Sequence, residues 1–205
     1  MSARSAARRR IIVLTFGLLS IHSIEWVFGS GCAPDSPGIG VSNGSVLNLT
    51  ASGFSTSDLN AATAYWSSCG AGTDIPGMEV GGAGGIPVNV ILMAGSSPTG
   101  RCGVADVQVG ATSGRVVSAT IRIYTKQQNG TSCQPFSDEI AHELGHVLGL
   151  ADADSAACKQ HIMGLRNPGT TRSVGPEDCD QVDQNWALPG EPPGGGAGGG
   201  GTPCV

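Results

Sequence analysis

The sequence feature that most constrains this chain is the stretch HELGHVLGLAD at residues 142–152. Residues four apart lie on one face of an α-helix, so His142 and His146 can direct their imidazoles at one cation. Glu143 follows the first histidine, where its carboxylate can hold a metal-bound water instead of the metal itself. Gly149 predicts a left-handed residue just after the helix, because glycine adopts that conformation without strain. The resulting turn brings Asp152 back toward the same cation as a third ligand.

Two other residues are alternatives to Asp152 as the third ligand. Asp154 is a second carboxylate close by, and His161 is the remaining histidine beyond the N-terminal segment. Imidazoles and a carboxylate are typical ligands of zinc. A zinc ion lowers the pKa of its bound water, and Glu143 can take the proton and return it to a leaving amine. The stretch therefore predicts one catalytic zinc ion and metal-assisted hydrolysis.

This stretch is similar to the extended zinc signature of the metzincin metalloproteases, H-E-x-x-H-x-x-G-x-x-H/D. The aspartate form resembles the snapalysin type, which is related to matrixin-like catalytic domains, and HIMG at residues 161–164 resembles the Met-turn. The resemblance implies endopeptidase activity on a polypeptide substrate. It also implies the roles of individual residues: zinc ligands His142, His146 and Asp152, general base Glu143, and Met-turn residue Met163. Nothing in the sequence indicates a calcium ion.

The hydrophobic pattern predicts an α+β or α/β domain over residues 32–188, and the resemblance favours α+β. Strands are predicted at residues 45–50, 86–93, 103–109 and 116–124, and helices at 57–66, 138–148 and 176–186. Ser137 is the expected N-cap of the middle helix, where Asp138 and Glu139 suit the positive end of the dipole. The resemblance implies a zincin-like fold, in which a mixed twisted sheet carries an N-terminal helix, an active-site helix and a C-terminal helix.

The two ends of the chain predict export and a flexible tail. Residues 1–31 combine arginines with a short apolar run, which is typical of a signal peptide. An uncleaved signal anchor and a lipoprotein signal with a lipidated Cys32 are the alternatives, and only these would bring the protein to a membrane. Residues 189–205 are almost entirely glycine and proline, a composition that cannot bury a core. We therefore expect a secreted or cell-surface protein, of bacterial type.

Charge and cysteine content narrow the function classes further. The formal net charge of −5 argues against nucleic-acid binding, which needs a clustered basic surface. Seven cysteines without a C-x-x-C pair favour disulfides in an oxidising compartment. We expect the pairs Cys158–Cys179 and Cys69–Cys102, with Cys32 or Cys204 as the odd cysteine.

Together these features predict a secreted or cell-surface, monomeric, zinc-dependent endopeptidase. The family arrangement implies a substrate that extends along an edge strand, which we assign to residues 116–124. Two alternatives stay open: a non-catalytic exported binding module with a structural zinc site, and a zinc hydrolase of a non-peptide amide or ester.

Overall fold

The computed structural model describes residues 45–69, 75–111, 113, 115–153, 158–164 and 172–186. The predicted signal segment at residues 1–31 and the predicted tail at residues 189–205 lie outside the described residues. Cys32, Cys204 and the alternative ligand Asp154 lie outside them as well.

The described residues form an α+β fold with a five-stranded mixed sheet and three helices; the α+β class and the three helices were expected. In chain order the elements are β1 (Val46–Ser52), α1 (Thr56–Ser67), β2 (Gly77–Val80), β3 (Ile86–Ser96), β4 (Gly103–Val109), β5 (Val116–Lys126), α2 (Phe136–Val147) and α3 (Pro176–Trp186). The short strand β2 was not predicted, because four residues carry too little alternation to stand out from a loop.

The strands lie in the order β2-β1-β3-β5-β4. All neighbouring pairs are parallel except β4 and β5, which are antiparallel. The prediction that residues 116–124 form an edge strand is therefore wrong: β5 is paired on one side with β3 and on the other with β4. The short connection between β4 and β5 places β4 outside β5, so the edge on this side of the sheet is β4.

The core lies between the sheet and the helices α1 and α2. Alternate residues of the central strands are fully buried, as Val88, Val90, Ile121 and Ile123 illustrate. Trp66 of α1 is also buried, and its indole N–H donates to the carbonyl of Ala141 in α2 at 2.9 Å. Each fully buried aliphatic side chain contributes about 1.5–3 kcal/mol. This packing fixes α2, and with it the two histidines, against the sheet.

The ends of the helices follow the local sequence, with one correction. In α1, Ser55 and Asp58 form a reciprocal capping box. The predicted N-cap Ser137 of α2 is wrong, because that helix begins two residues earlier than expected, at Phe136; its N-cap is Pro135, which makes no side-chain hydrogen bond. Asp138 and Glu139 lie in its first turn as expected.

Two disulfides join described residues, and they differ from the expected pairs. Cys69 is bonded to Cys179, and Cys102 to Cys133; Cys158 is disulfide-bonded as well. Cys102 and Cys133 meet because they flank the antiparallel strands β4 and β5, a juxtaposition that depends on topology and not on sequence spacing. Bridges that close 31 and 110 residues are worth about 4 and 5 kcal/mol in the chain-entropy description.

These disulfides favour an oxidising, extracellular environment. No helix among the described residues is both long and apolar enough to cross a membrane.

Candidate metal site

The site is built on the C-terminal half of α2 and the turn that follows it. The N–H of Gly149 donates to the carbonyl of His146 at 3.0 Å, and the N–H of Leu150 donates to that of Gly145 at 2.9 Å. This pair of bonds is a Schellman motif, and the φ of 87° at Gly149 is the left-handed conformation that the motif needs. The turn expected from Gly149 is thus confirmed, and it leads the chain back toward the histidines.

The side chains of His142, His146 and Asp152 converge. The Oδ1 atom of Asp152 lies 3.1 Å from Nε2 of His142 and 3.4 Å from Nε2 of His146. The opposite ring nitrogens are held by the backbone: Nδ1 of His142 lies 2.8 Å from the carbonyl oxygen of Ile162, and Nδ1 of His146 lies 2.8 Å from that of Leu150. A carbonyl oxygen only accepts hydrogen bonds, so both Nδ1 atoms carry a proton and both Nε2 atoms face Asp152.

The spacing of these atoms fits a single cation. A tetrahedral ion with bonds of about 2.0–2.1 Å places any two of its ligand atoms about 3.3–3.4 Å apart. The distances from Asp152 to His142 and His146 are 3.1 and 3.4 Å. Hydrogen bonding of the Nδ1–H to a carbonyl is also the usual way in which a metal-binding histidine is oriented. The three side chains could therefore hold one metal ion.

Glu143 offers a second way to complete a set of three ligands. The ligand atoms of His142, Glu143 and His146 lie within 4.8 Å of one another. Oδ1 of Asp152 lies 3.1 and 3.4 Å from the two imidazole Nε2 atoms, so both carboxylates are within reach of the histidine pair. Glu143 is buried, with only 4% of its surface exposed. Burial raises the pKa of the Glu143 carboxyl, although His142 and His146 oppose the shift.

Asp152 is negatively charged and has cationic or hydrogen-bond-donating side chains on both sides. Hydrogen bonds from His142 and His146 hold the pKa of Asp152 well below its usual range, against the effect of burial. Burial lowers the pKa of His146, but its hydrogen bond to Asp152 and the charge of Glu143 outweigh that effect and the net shift is upward. The exposed guanidinium of Arg101 lies 3.5 Å from Oδ2 of Asp152 on the outer side.

Met163 is completely buried and packs against the helical turn that carries the histidines. A Cβ on Gly145 would lie 2.2 Å from Sδ of Met163, so the glycine between Glu143 and His146 makes room for the methionine. The N–H of Ala153 donates to the carbonyl of Met163 at 2.8 Å, which ties the residue after Asp152 to this segment. Met163 therefore packs against the backbone of α2 at Gly145, one residue before His146.

His161, the alternative third ligand, does not contact the two imidazoles. Its Nδ1 atom lies 3.8 Å from Oδ2 of Asp178 in α3. Of the candidate third ligands within the described residues, it is Asp152 that the fold brings to His142 and His146.

No sequence pattern indicated a buried ion pair next to the site. Arg172 and Glu139 are both almost fully buried, and Nη2 of Arg172 donates to Oε1 of Glu139 at 2.7 Å. Nη1 of the same arginine lies 3.4 Å from the carbonyl oxygen of Ile162, which also accepts from His142. Arg172 follows a stretch without hydrophobic periodicity, so no pattern could have identified it.

Tyr65 is a second residue that the sequence did not single out. Its hydroxyl donates to Asp138 in the first turn of α2. Burial and the bond to Asp138 raise the pKa of Tyr65 to about 12, so the phenol stays neutral and joins α1 to α2.

Comparison of the sequence with models of known protein families and with curated proteins finds no match.

Proposed function

We propose that this protein is an exported zinc-dependent endopeptidase with a zincin-like fold of the metzincin type. The observation that carries the proposal is the convergence of Nε2 of His142, Nε2 of His146 and Oδ1 of Asp152, with Glu143 buried beside them. Two nitrogens and one oxygen in tetrahedral spacing, with a fourth position left for water or substrate, form the ligand set of catalytic zinc sites.

Each residue of the site has a separate role in the proposed reaction. His142, His146 and Asp152 hold the ion, and the charge of Asp152 offsets part of the ion's charge. Zinc, when bound, supplies a water whose pKa is lowered to about 7. Glu143 would act as the general base that accepts a proton from the attacking water, and then as the general acid that returns it to the leaving amine. Burial raises the pKa of Glu143, and a raised pKa strengthens a carboxylate as a base.

The edge strand β4 is the part of the sheet on which a polypeptide substrate would lie. Its first residue, Gly103, packs against Glu143. An extended peptide that pairs with this edge through main-chain hydrogen bonds would pass close to the general base. The substrate strand is thus β4, in place of residues 116–124, and the substrate class is an unfolded or extended polypeptide.

Substitution of the general base tests the proposal. Zinc-loaded wild-type protein is expected to cleave casein, and Glu143→Gln is expected to lower kcat/KM by about 10²–10⁴-fold while it keeps its zinc. Glu79→Gln removes an exposed glutamate of β2 and serves as the matched control. Zinc content by mass spectrometry and peptide release by chromatography give the two measurements.

Three outcomes would overturn the proposal in different ways. If Glu143→Gln cleaves casein as fast as wild type, Glu143 is not the base. If zinc-loaded wild type cleaves no member of a peptide library but hydrolyses small amides or esters, the protein is a non-peptide hydrolase. If the wild-type protein binds zinc but cleaves neither peptides nor small amides and esters, the protein is a non-catalytic binding module with a structural zinc site.

A further inference from the structure

Gly103 occupies a position where any side chain would collide with the carboxylate of Glu143. A Cβ built on Gly103 would lie 2.3 Å from Oε1, 2.6 Å from Cγ and 2.7 Å from Cδ of Glu143. Real Cβ atoms essentially never approach another heavy atom closer than 3.0 Å. The first residue of the edge strand therefore leaves open the volume that the Glu143 side chain fills.

The strand cannot easily move to relieve such a collision. Cys102, the preceding residue, is bonded to Cys133 just before α2. The N–H of Tyr124 donates to the carbonyl of Cys102 at 2.8 Å. Gly103 itself is paired with Ile123, which is completely buried. A side chain at position 103 would therefore displace Glu143 and leave the strand where it is.

We propose that Gly103 is a positioning residue for the general base. The inference rests on the proposed function, because it assigns to Glu143 the transfer of a proton. A general base must lie within about 2.6–3.2 Å of the atom that it deprotonates. Misplacement by about 1 Å can cost about 10²-fold in rate. In this role Gly103 acts through Glu143.

The first test compares two strand glycines. Gly103→Ala is expected to lower kcat on casein-derived peptides by about 10²-fold, with KM and zinc content close to those of wild type. Gly77→Ala in β2 is the matched control, because a Cβ there would have its nearest neighbour, Cγ2 of Val46, at an ordinary 3.5 Å. If Gly103→Ala has the same kcat as wild type, the proposal is wrong. The proposal is also wrong if Gly77→Ala lowers kcat as much as Gly103→Ala does.

The second test does not depend on activity. Gly103→Ala is expected to lower the thermal unfolding midpoint in the wild-type background, and to leave it unchanged when Glu143→Ala has already vacated the contested volume. Such a double-mutant cycle isolates the contact between the two residues. Equal destabilisation in both backgrounds would mean that Gly103 serves the strand alone, and the positioning role would be refuted.

The two tests separate failure of this inference from failure of the proposed function. If wild type cleaves peptides but the cycle shows no coupling, the inference fails and the endopeptidase stands. If wild type cleaves no peptide, the endopeptidase fails, and the positioning role falls with it even where the cycle shows the contact.

Discussion

Asp178 provides a quantitative test of the packing beneath the site. Its side chain is completely buried in the first turn of α3. One oxygen, Oδ2, accepts from the N–H of Gly175 at 2.8 Å, whereas Oδ1 has no hydrogen-bond partner within the described part of the chain. Burial raises the pKa of Asp178 from 3.8 to about 6, although the Gly175 bond and His161 oppose the shift.

The sign of the pH dependence follows from this shift. Below pH 3.8 the carboxyl is protonated in the folded and the unfolded chain alike, and the contribution to stability is fully present. As the pH rises toward about 6, the unfolded chain loses its proton first, so the contribution declines until the folded group ionises too. A shift of about two pKa units corresponds to about 3 kcal/mol. At neutral pH the folded protein therefore bears a cost of this order at Asp178.

Asp178→Asn removes the ionisation and keeps an oxygen to accept from Gly175. We expect the variant to be more stable than wild type by up to about 3 kcal/mol at pH 7.5 and nearly equal to it at pH 4. Urea unfolding of the metal-free, disulfide-intact protein at several pH values measures the difference, in which the other titrating groups cancel. Asp180→Asn, at an exposed position of the same helix, is the control. A difference that does not change between pH 4 and 7.5, or a less stable variant at neutral pH, would refute the reasoning.

Two further predictions concern the ligand set and the ion pair below it. Asp152→Ala is expected to weaken zinc binding by more than about 10²-fold, because even the loss of a residue that only hydrogen-bonds to a zinc ligand lowers the affinity by about 10–100-fold. Competition with a chromophoric chelator measures the affinity. If Asp152→Ala binds zinc as tightly as Asp180→Ala does, Asp152 is not a zinc ligand. Arg172→Met removes the guanidinium from the buried Glu139 carboxylate and should cost about 3–5 kcal/mol in urea unfolding, whereas adding Glu139→Gln should restore part of that stability. A double variant no more stable than Arg172→Met would contradict this account.

Local sequence determines the part of the site that was predicted. The helical spacing of His142 and His146 depends only on the geometry of an α-helix, and the turn at Gly149 depends on the conformational freedom of one glycine. The spacing to Asp152 was sufficient to place a carboxylate next to both imidazoles. These features lie within eleven residues, so no knowledge of the tertiary fold was needed.

Features that depend on contacts between distant segments could not be predicted in the same way. The expected disulfides were wrong because Cys102 and Cys133 meet only when β4 pairs with β5. The expected edge strand was wrong for the same reason, since the amphipathic alternation of β5 does not reveal which neighbours flank it. Gly103 looked like an ordinary strand residue, and its contact with Glu143 emerges only when the sheet edge and α2 are brought together.

The two histidines differ in how much of this tertiary structure they need. His146 is oriented by the carbonyl of Leu150, four residues away in the turn that ends its own helix. His142 is oriented by the carbonyl of Ile162, twenty residues away, and that carbonyl also lies next to the buried guanidinium of Arg172. One imidazole is thus oriented by secondary structure and the other by the docking of residues 158–164. An ion held by both imidazoles would therefore also stabilise the docking of that segment against α2.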